Sequence, residues 1–526
     1  VKTRRRWIGL ALTSAVIALG IVACRRQETP PSAQPDEAAV LRVLAGSELK
    51  EIEPALASAA RKADVDLRLS YAGTLEIVDR VNAGERFDAV LPPNGAYPML
   101  ALQSKPLARE KLFYSRVALG VKRSKAQSLG WDRRVPTWAD VAQAAQDGHF
   151  NYAMTNPTSS NTGMSALFAV ASSGAGKTED LSLADVHRDL LTRFLKGQKL
   201  TAGSSGWLSD AYLRDQDKLD GIVNYEAVLM RLNDRHELTD KLAIVYPADG
   251  VISADYPLLL LNDARRPAYQ RIVEVVRSRE FQAGPVATAY LRPSNPDAAL
   301  ARGLATQPVA ELSFPNNLAV IDAVLSSYQS ELRRPATSIY LLDTSGSMKG
   351  ERIAGLRHAL EYLTGASGND MLGRMARFQN RERVVLLPFS DRVAAPTVVE
   401  FASSGSHDQE VGAIRAFAGE LHAGGGTAIF SAVEQAYAIA RQERARDPDR
   451  LVTVVLLTDG ENHDGIDFRT LEHHLRDADV PRTFPILFGE GKSAELEHLA
   501  RLSGGRIFDG RSGALTAVFR EIRGYQ

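Results

Sequence analysis

Short apolar runs separated by amphipathic stretches recur along most of the 526 residues. Their spacing predicts strands alternating with helices. Residues 41–45 form a compact apolar run, and Ile52, Leu56 and Ala60 then share one helical face. Val65, Leu67 and Leu69 alternate as in a strand, Leu75 and Val78 open a second helix, and residues 87–91 read as a third strand. Short strands joined through helices predict parallel pairing. A second section of the same kind starts near Leu112, with strands expected at 115–121, 151–154 and 221–225. The apolar run 256–261 predicts a return of the chain to the first set of strands, and residues 270–290 predict a helix. Leu318, Ile321, Leu325, Tyr328 and Leu332 fall on one face of a connecting helix that can pack against either neighbour.

The last third of the chain has the clearest pattern. An apolar run at 339–342 is followed by a helical stripe of Ile353, Leu356, Leu360 and Leu363. Strands are expected at 384–389, 397–401, 452–457, 483–488 and 506–508. Helices are expected at 411–421, 428–445, 468–478 and 495–502, with a final one ending near Ile522. Six strands with intervening helices predict a doubly wound α/β sheet, whose ligands sit at the carboxyl ends of its strands. Asp343 and Asp459 fall at two such ends.

Charge adds little for the bulk of the chain. Lys plus Arg and Asp plus Glu number 63 each, which argues against nucleic acid as a partner. The N-terminus is different. Lys2, Arg4, Arg5 and Arg6 precede an uncharged run from 7 to 23, suited to an export signal. The run ends Ile21-Val22-Ala23-Cys24, which resembles a bacterial lipobox; the resemblance implies cleavage before Cys24 and its lipidation, and so a membrane-anchored, exported protein facing the periplasm or the cell exterior. The alternative is an uncleaved anchor helix, and the paired arginines leave the export route open. Cys24 is the only cysteine, so no intramolecular disulfide is expected. Residues 25–38 are polar and proline-bearing, as in a flexible stalk.

Candidate chemistry concentrates in three loops. Asp343-Thr344-Ser345-Gly346-Ser347 follows a strand, Gly424-Gly425-Gly426-Thr427 opens a helix, and Thr458-Asp459-Gly460 closes another strand. Carboxylates and hydroxyls together suit a hard divalent ion. Taken singly, each loop is equally readable as a turn and helix cap. The set resembles the metal-ion-dependent adhesion site of the von Willebrand factor A domain over about residues 335–526. The resemblance implies Asp343, Ser345, Ser347, Thr427 and Asp459 as a Mg²⁺ (or Mn²⁺) site, with a protein partner docked through an acidic side chain. His463 and Asp464 lie close enough in sequence to shape its rim, or simply to be a solvated loop. His473 and His474 are adjacent on a helix and point too far apart to share an ion.

The section from 39 to 297, with its double crossing between two sets of strands, resembles the type II periplasmic solute-binding fold. The resemblance implies a small-molecule ligand held by Ser47, Thr74, Ser159 or Ser160, and Tyr225. Glu48, Glu76 and Glu226 adjoin those loops and leave the ligand's charge open. Gly174-Ala175-Gly176-Lys177-Thr178 imitates a phosphate loop, but Ala171 stands where its first glycine belongs. The expected organisation is a signal peptide (1–23), lipidated Cys24 and stalk (24–38), a two-lobed binding domain (39–297), a helical connector (298–334) and the A domain (335–526). The expected function is an anchored binding or adhesion protein, or else a transport or sensing receptor. No nucleophile elbow, His-Glu-x-x-His helix or cysteine nucleophile points to an enzyme.

Overall fold

The computed structural model describes residues 39–365, 371–476, 478–489, 494–511 and 515–525. The signal segment, Cys24 and the stalk lie outside the described residues, among which no helix is long and apolar enough to cross a membrane.

Two sheets and a crossing chain build the first 300 residues. In the first lobe, Val40–Gly46 pairs in parallel with Asp66–Ala72 on one side and Ala89–Leu91 on the other. Pro257–Leu260 returns from the second lobe, runs antiparallel to Ala89–Leu91 and completes a five-stranded sheet with Ala108–Lys111. The second lobe is a seven-stranded mixed sheet around Phe113–Lys122 and Gly221–Tyr225, which pair antiparallel. Tyr152–Thr155 joins that sheet in parallel, between Gly221–Tyr225 and Gln198–Ala202. The central strands are apolar on both faces because helices cover both.

Two expectations need correction. The helix foreseen at 270–290 is broken into Arg266–Arg277, Arg279–Phe281 and a wider turn Gln282–Val286. Ser278 adopts an extended conformation and accepts the Phe281 N–H, while Pro285 has no N–H to continue a regular ladder. In the connector, Leu318 is exposed although it lies on the apolar stripe. It is the first helical residue after the Asn317 cap, and burial begins at Val320 and Ile321.

The C-terminal domain is a six-stranded sheet in the order Thr397–Glu400, Glu382–Phe389, Ala336–Asp343, Leu451–Thr458, Arg482–Leu487, Phe508–Asp509. Counted along the chain, that order is 3-2-1-4-5-6, and only the outer strand Thr397–Glu400 is antiparallel. The order reverses between Ala336–Asp343 and Leu451–Thr458, which opens a crevice at their carboxyl ends. A helix at Met371–Ala376, not foreseen from the sequence, precedes the second strand.

The C-terminal domain is docked on the two lobes through a buried carboxylate. Glu382 is 1% exposed and accepts from two guanidinium groups: Arg333, at the end of the connector, and Arg523 on the last helix, at 2.7 Å for the latter. Arg523 also donates to the Arg377 carbonyl, and its own carbonyl accepts from Asn156 of the second lobe. Gln329 donates to Thr158, and Arg482 reaches the Thr201 carbonyl and Asp215. An apolar cluster runs through the same region, from Leu200, Leu208 and Tyr212 to Phe484, Phe519 and Tyr525.

Burial works against charge on Glu382, but Arg523 and Arg333 outweigh it and hold the carboxyl below the ordinary range. A buried carboxylate removed from two arginines leaves both uncompensated. Glu382→Gln should therefore lower unfolding stability by about 3–5 kcal/mol at neutral pH, read from urea denaturation. Because the folded-state pKa is depressed, the wild-type advantage is present above the unfolded value and shrinks as pH falls below about 4. A variant within about 1 kcal/mol of wild type at pH 7 would show that the clamp contributes little.

Candidate functional site

The three loops singled out in the sequence meet at the crevice of the C-terminal sheet. Asp343 ends the central strand and is fully buried. Its Oδ1 accepts the Ser345 N–H at 2.8 Å and its Oδ2 accepts the Thr458 hydroxyl at 2.6 Å. Burial pushes the Asp343 carboxyl up, opposed by those hydrogen bonds. The Ser345 and Ser347 hydroxyls lie 3.0 Å apart. Main-chain bonds stitch the glycine loop to this turn: Gly346 N–H to the Gly425 carbonyl at 2.9 Å, and Gly424 N–H to the Thr344 carbonyl at 2.8 Å. Thr427 is buried, and its N–H donates to Asp464 at 2.8 Å. Asp459 accepts from Arg352 at 2.8 Å, and the same guanidinium nitrogen donates to the Ser347 carbonyl at 3.0 Å.

Three residues of this site were not singled out from sequence for these roles. Thr458 orients Asp343, and its place directly before Asp459 at a strand end was the available signal. Asp464 was noted only as rim; it holds the loop carrying Thr427 through a backbone N–H. Arg352 lies on the helix after the first loop, and nothing local marks it. His474 pairs with Glu434 on the helical surface, apart from these loops.

A second site lies between the two lobes, a cavity of about 320 Å³. Ser47, Thr74, Ser159 and Ser160 line it. Tyr225 does not: it is buried behind the wall, where its hydroxyl accepts from Asn161 at 3.0 Å and so positions a residue that does line the cavity. Helices Thr74–Asn82, Asn161–Gly174 and Ser205–Asp215 all begin at this cavity, and none is capped by the side chain of its own N-cap residue, although Thr155 Oγ1 accepts the Gly163 N–H in the second at 2.8 Å. Thr74 is 1% exposed, and its hydroxyl has no hydrogen-bond partner among the described residues. Gly73 is needed for close approach, since a Cβ there would sit 2.2 Å from the Ser159 carbonyl oxygen of the opposite lobe.

The acidic neighbours divide. Glu226 is withdrawn into the core, where Arg292 grips it at 2.6 and 2.8 Å and Tyr246 donates to it at 2.6 Å. Glu48 and Glu76 remain on the cavity wall. Burial pushes the Glu48 carboxyl up to about 7, and it also pushes Glu76 up, against the opposing field of Arg520 and Arg80. Lys177 pairs with Asp185 after the helix Asn161–Gly174, so the glycine-lysine segment is a surface turn.

Residues 41–284 match the bacterial extracellular solute-binding protein family, and residues 339–520 match the von Willebrand factor type A domain. The inter-alpha-trypsin inhibitor heavy chain H4 of Sus scrofa is 33% identical over 130 residues, which is 24% of this chain and 12% of that relative's length. Among solved structures, the periplasmic binding protein AfuA from Actinobacillus pleuropneumoniae aligns at 12% identity and a TM-score of 0.44, covering 56% of this chain and 98% of that one. A von Willebrand factor type A structure from Catenulispora acidiphila aligns at 22% identity and a TM-score of 0.30, covering 36% of this chain and 42% of that one. The chain thus joins a bacterial extracellular solute-binding domain to a von Willebrand factor type A domain.

Proposed function

We propose that this chain is an exported binding protein, anchored through lipidated Cys24, whose A domain docks a protein partner through a divalent metal ion. The observation that carries this reading is the Ser345–Ser347 hydroxyl pair at 3.0 Å beside buried Asp343. Adjacent ligands of an octahedral ion with bonds of about 2.1 Å stand about 3.0 Å apart, so this hydrogen-bonded pair already has the oxygen spacing that Mg²⁺ or Mn²⁺ needs. Ser345 and Ser347 would hold the ion directly. Asp343, Thr427 and Asp459 complete an all-oxygen set with few formal charges. An ion bound there supplies an under-neutralised positive charge to an acidic side chain of the partner. Asp343 keeps its orientation through Thr458, and the Gly424–Thr427 loop is tied to the first loop by main-chain bonds.

The solute-binding domain holds, on the same proposal, a small anionic solute in the interlobe cavity. Three helix N-termini without an N-cap side chain begin at one space, one of them with a first-turn N–H already taken by Thr155, and Thr74 adds a buried hydroxyl with no other partner among the described residues. This supports a second role as a sensing or transport receptor alongside partner docking.

Two measurements check the metal reading. Thermal unfolding of the whole chain should rise with Mg²⁺ or Mn²⁺ over a chelator, by about 2.7 kcal/mol at roughly a hundred times the dissociation constant, and Asp343→Ala should abolish the rise. An equal rise in the variant would place the ion elsewhere. Arg352 neutralises Asp459 and ties it to the Ser347 carbonyl, so Arg352→Gln should tighten Mg²⁺ several-fold in a calorimetric titration. Weaker binding in that variant would mean that Arg352 organises the site rather than competing for it.

A further inference from the structure

The interlobe cavity is not built by the two lobes alone. Arg506, Val518, Arg520, Glu521, Arg523 and Gly524 of the A domain form part of its wall. Gly524 lies against the recognition loops of the second lobe: a Cβ there would sit 2.9 Å from Gly203 Cα and 3.1 Å from Ser159 Oγ. On the other side, the helix Met371–Ala376 packs against Thr74–Asn82 of the first lobe. The A domain therefore straddles the mouth of the cleft and touches both lobes.

The cations on that wall are not equivalent. Arg506 is held between the rings of Trp207 and Phe508, at 4.8 and 4.7 Å, and pairs with Glu521. Arg523 is committed to Glu382. Arg520 has no carboxylate within salt-bridge distance among the described residues, and its buried Nε has no hydrogen-bond partner among them. Glu76, the acidic group whose field it opposes, is already paired with Arg80 at 3.7 Å. Of the A-domain cations, Arg520 is thus the one left to face the cavity, opposite the starts of three helices; Lys50 of the first lobe, over the Tyr71 ring at 5.3 Å, also lines it.

We propose that the A domain is the lid of the interlobe cavity and that Arg520 supplies part of its anion-binding wall, so that solute occupancy and A-domain docking stabilise one another. The inference rests on the reading of the cavity as an anion site. Opening the lobes separates Gly73 from Ser159, and the loop bearing Ser159 is bonded to the A domain through Asn156 to Arg523 and to the connector through Thr158 to Gln329. Because Met371–Ala376 packs on Thr74–Asn82 of the first lobe, moving that lobe away for solute exchange undocks the A domain on that side. An anion bridging the lobes and Arg520 favours the docked arrangement, and by linkage docking raises the solute's affinity equally.

The test needs no knowledge of the natural solute. In the full chain carrying Cys24→Ser, Ser47→Cys places one thiol on the cavity wall, with Ser204→Cys as a second reporter should the first not fold. Its reaction rates with a sulfonate-bearing and a trimethylammonium-bearing methanethiosulfonate of equal length are compared, a ratio from which the thiol's own reactivity cancels. The anionic reagent should react about tenfold faster, and Arg520→Gln should bring the ratio close to one. Gly524→Leu, which cannot seat against Gly203, should accelerate both reagents. An unchanged ratio in Arg520→Gln, or unchanged rates in Gly524→Leu, would overturn the lid while leaving an anion cavity in place. A faster cationic reagent in the unmodified background would overturn the anion reading itself, and the lid proposal with it.

Discussion

One buried carboxylate organises the relation between the two halves of this molecule. Glu382 begins the second strand of the A-domain sheet, and two arginines from distant parts of the chain converge on it. Arg333 ends the connector, and Arg523 ends the last helix. A charge at 1% exposure is tolerated only when paired and hydrogen-bonded, so this geometry is strongly specified once formed. Fixing Arg523 fixes the rest of its helix, including Arg520 and Gly524, against the loops of the second lobe. The position of the cavity wall follows from the clamp.

The two candidate sites treat charge in opposite ways. At the A-domain crevice, hydroxyls and a few carboxylates gather, and Arg352 already sits on Asp459. At the interlobe cavity, helix starts and Arg520 share the wall with two carboxyls whose ionisation burial opposes. Both sites lie where α/β architecture leaves strand ends and helix starts unpartnered, and both are made from loops rather than core.

Much of the secondary structure was readable because apolar periodicity reflects burial directly. The strands of the A domain lie within about three residues of the positions their apolar runs suggested, since the central ones are buried on both faces. The helix at 270–290 was misread because its apolar pattern continues through Ser278 and Pro285, whose backbone preferences break it. Met371–Ala376 went unseen because its apolar positions, Met371, Leu372 and Met375, span less than two turns, too short a stripe to mark a helix by itself. Tyr225 was assigned to the wrong side of the cavity wall, since a strand end and a helix start give a residue's location but not its depth.

The sequence by itself determined the two-part α/β design, the order of the metal-type loops and the residues that close each strand, because these depend on local periodicity and on turn chemistry. Tertiary structure alone decided that Glu226 is sealed by Arg292, that Thr458 and Arg352 attend the carboxylates, and that residues of the last helix line the other domain's cavity. Those facts join residues up to several hundred positions apart. Only packing and charge pairing in three dimensions can set such distances, and neither leaves a periodic trace in the chain.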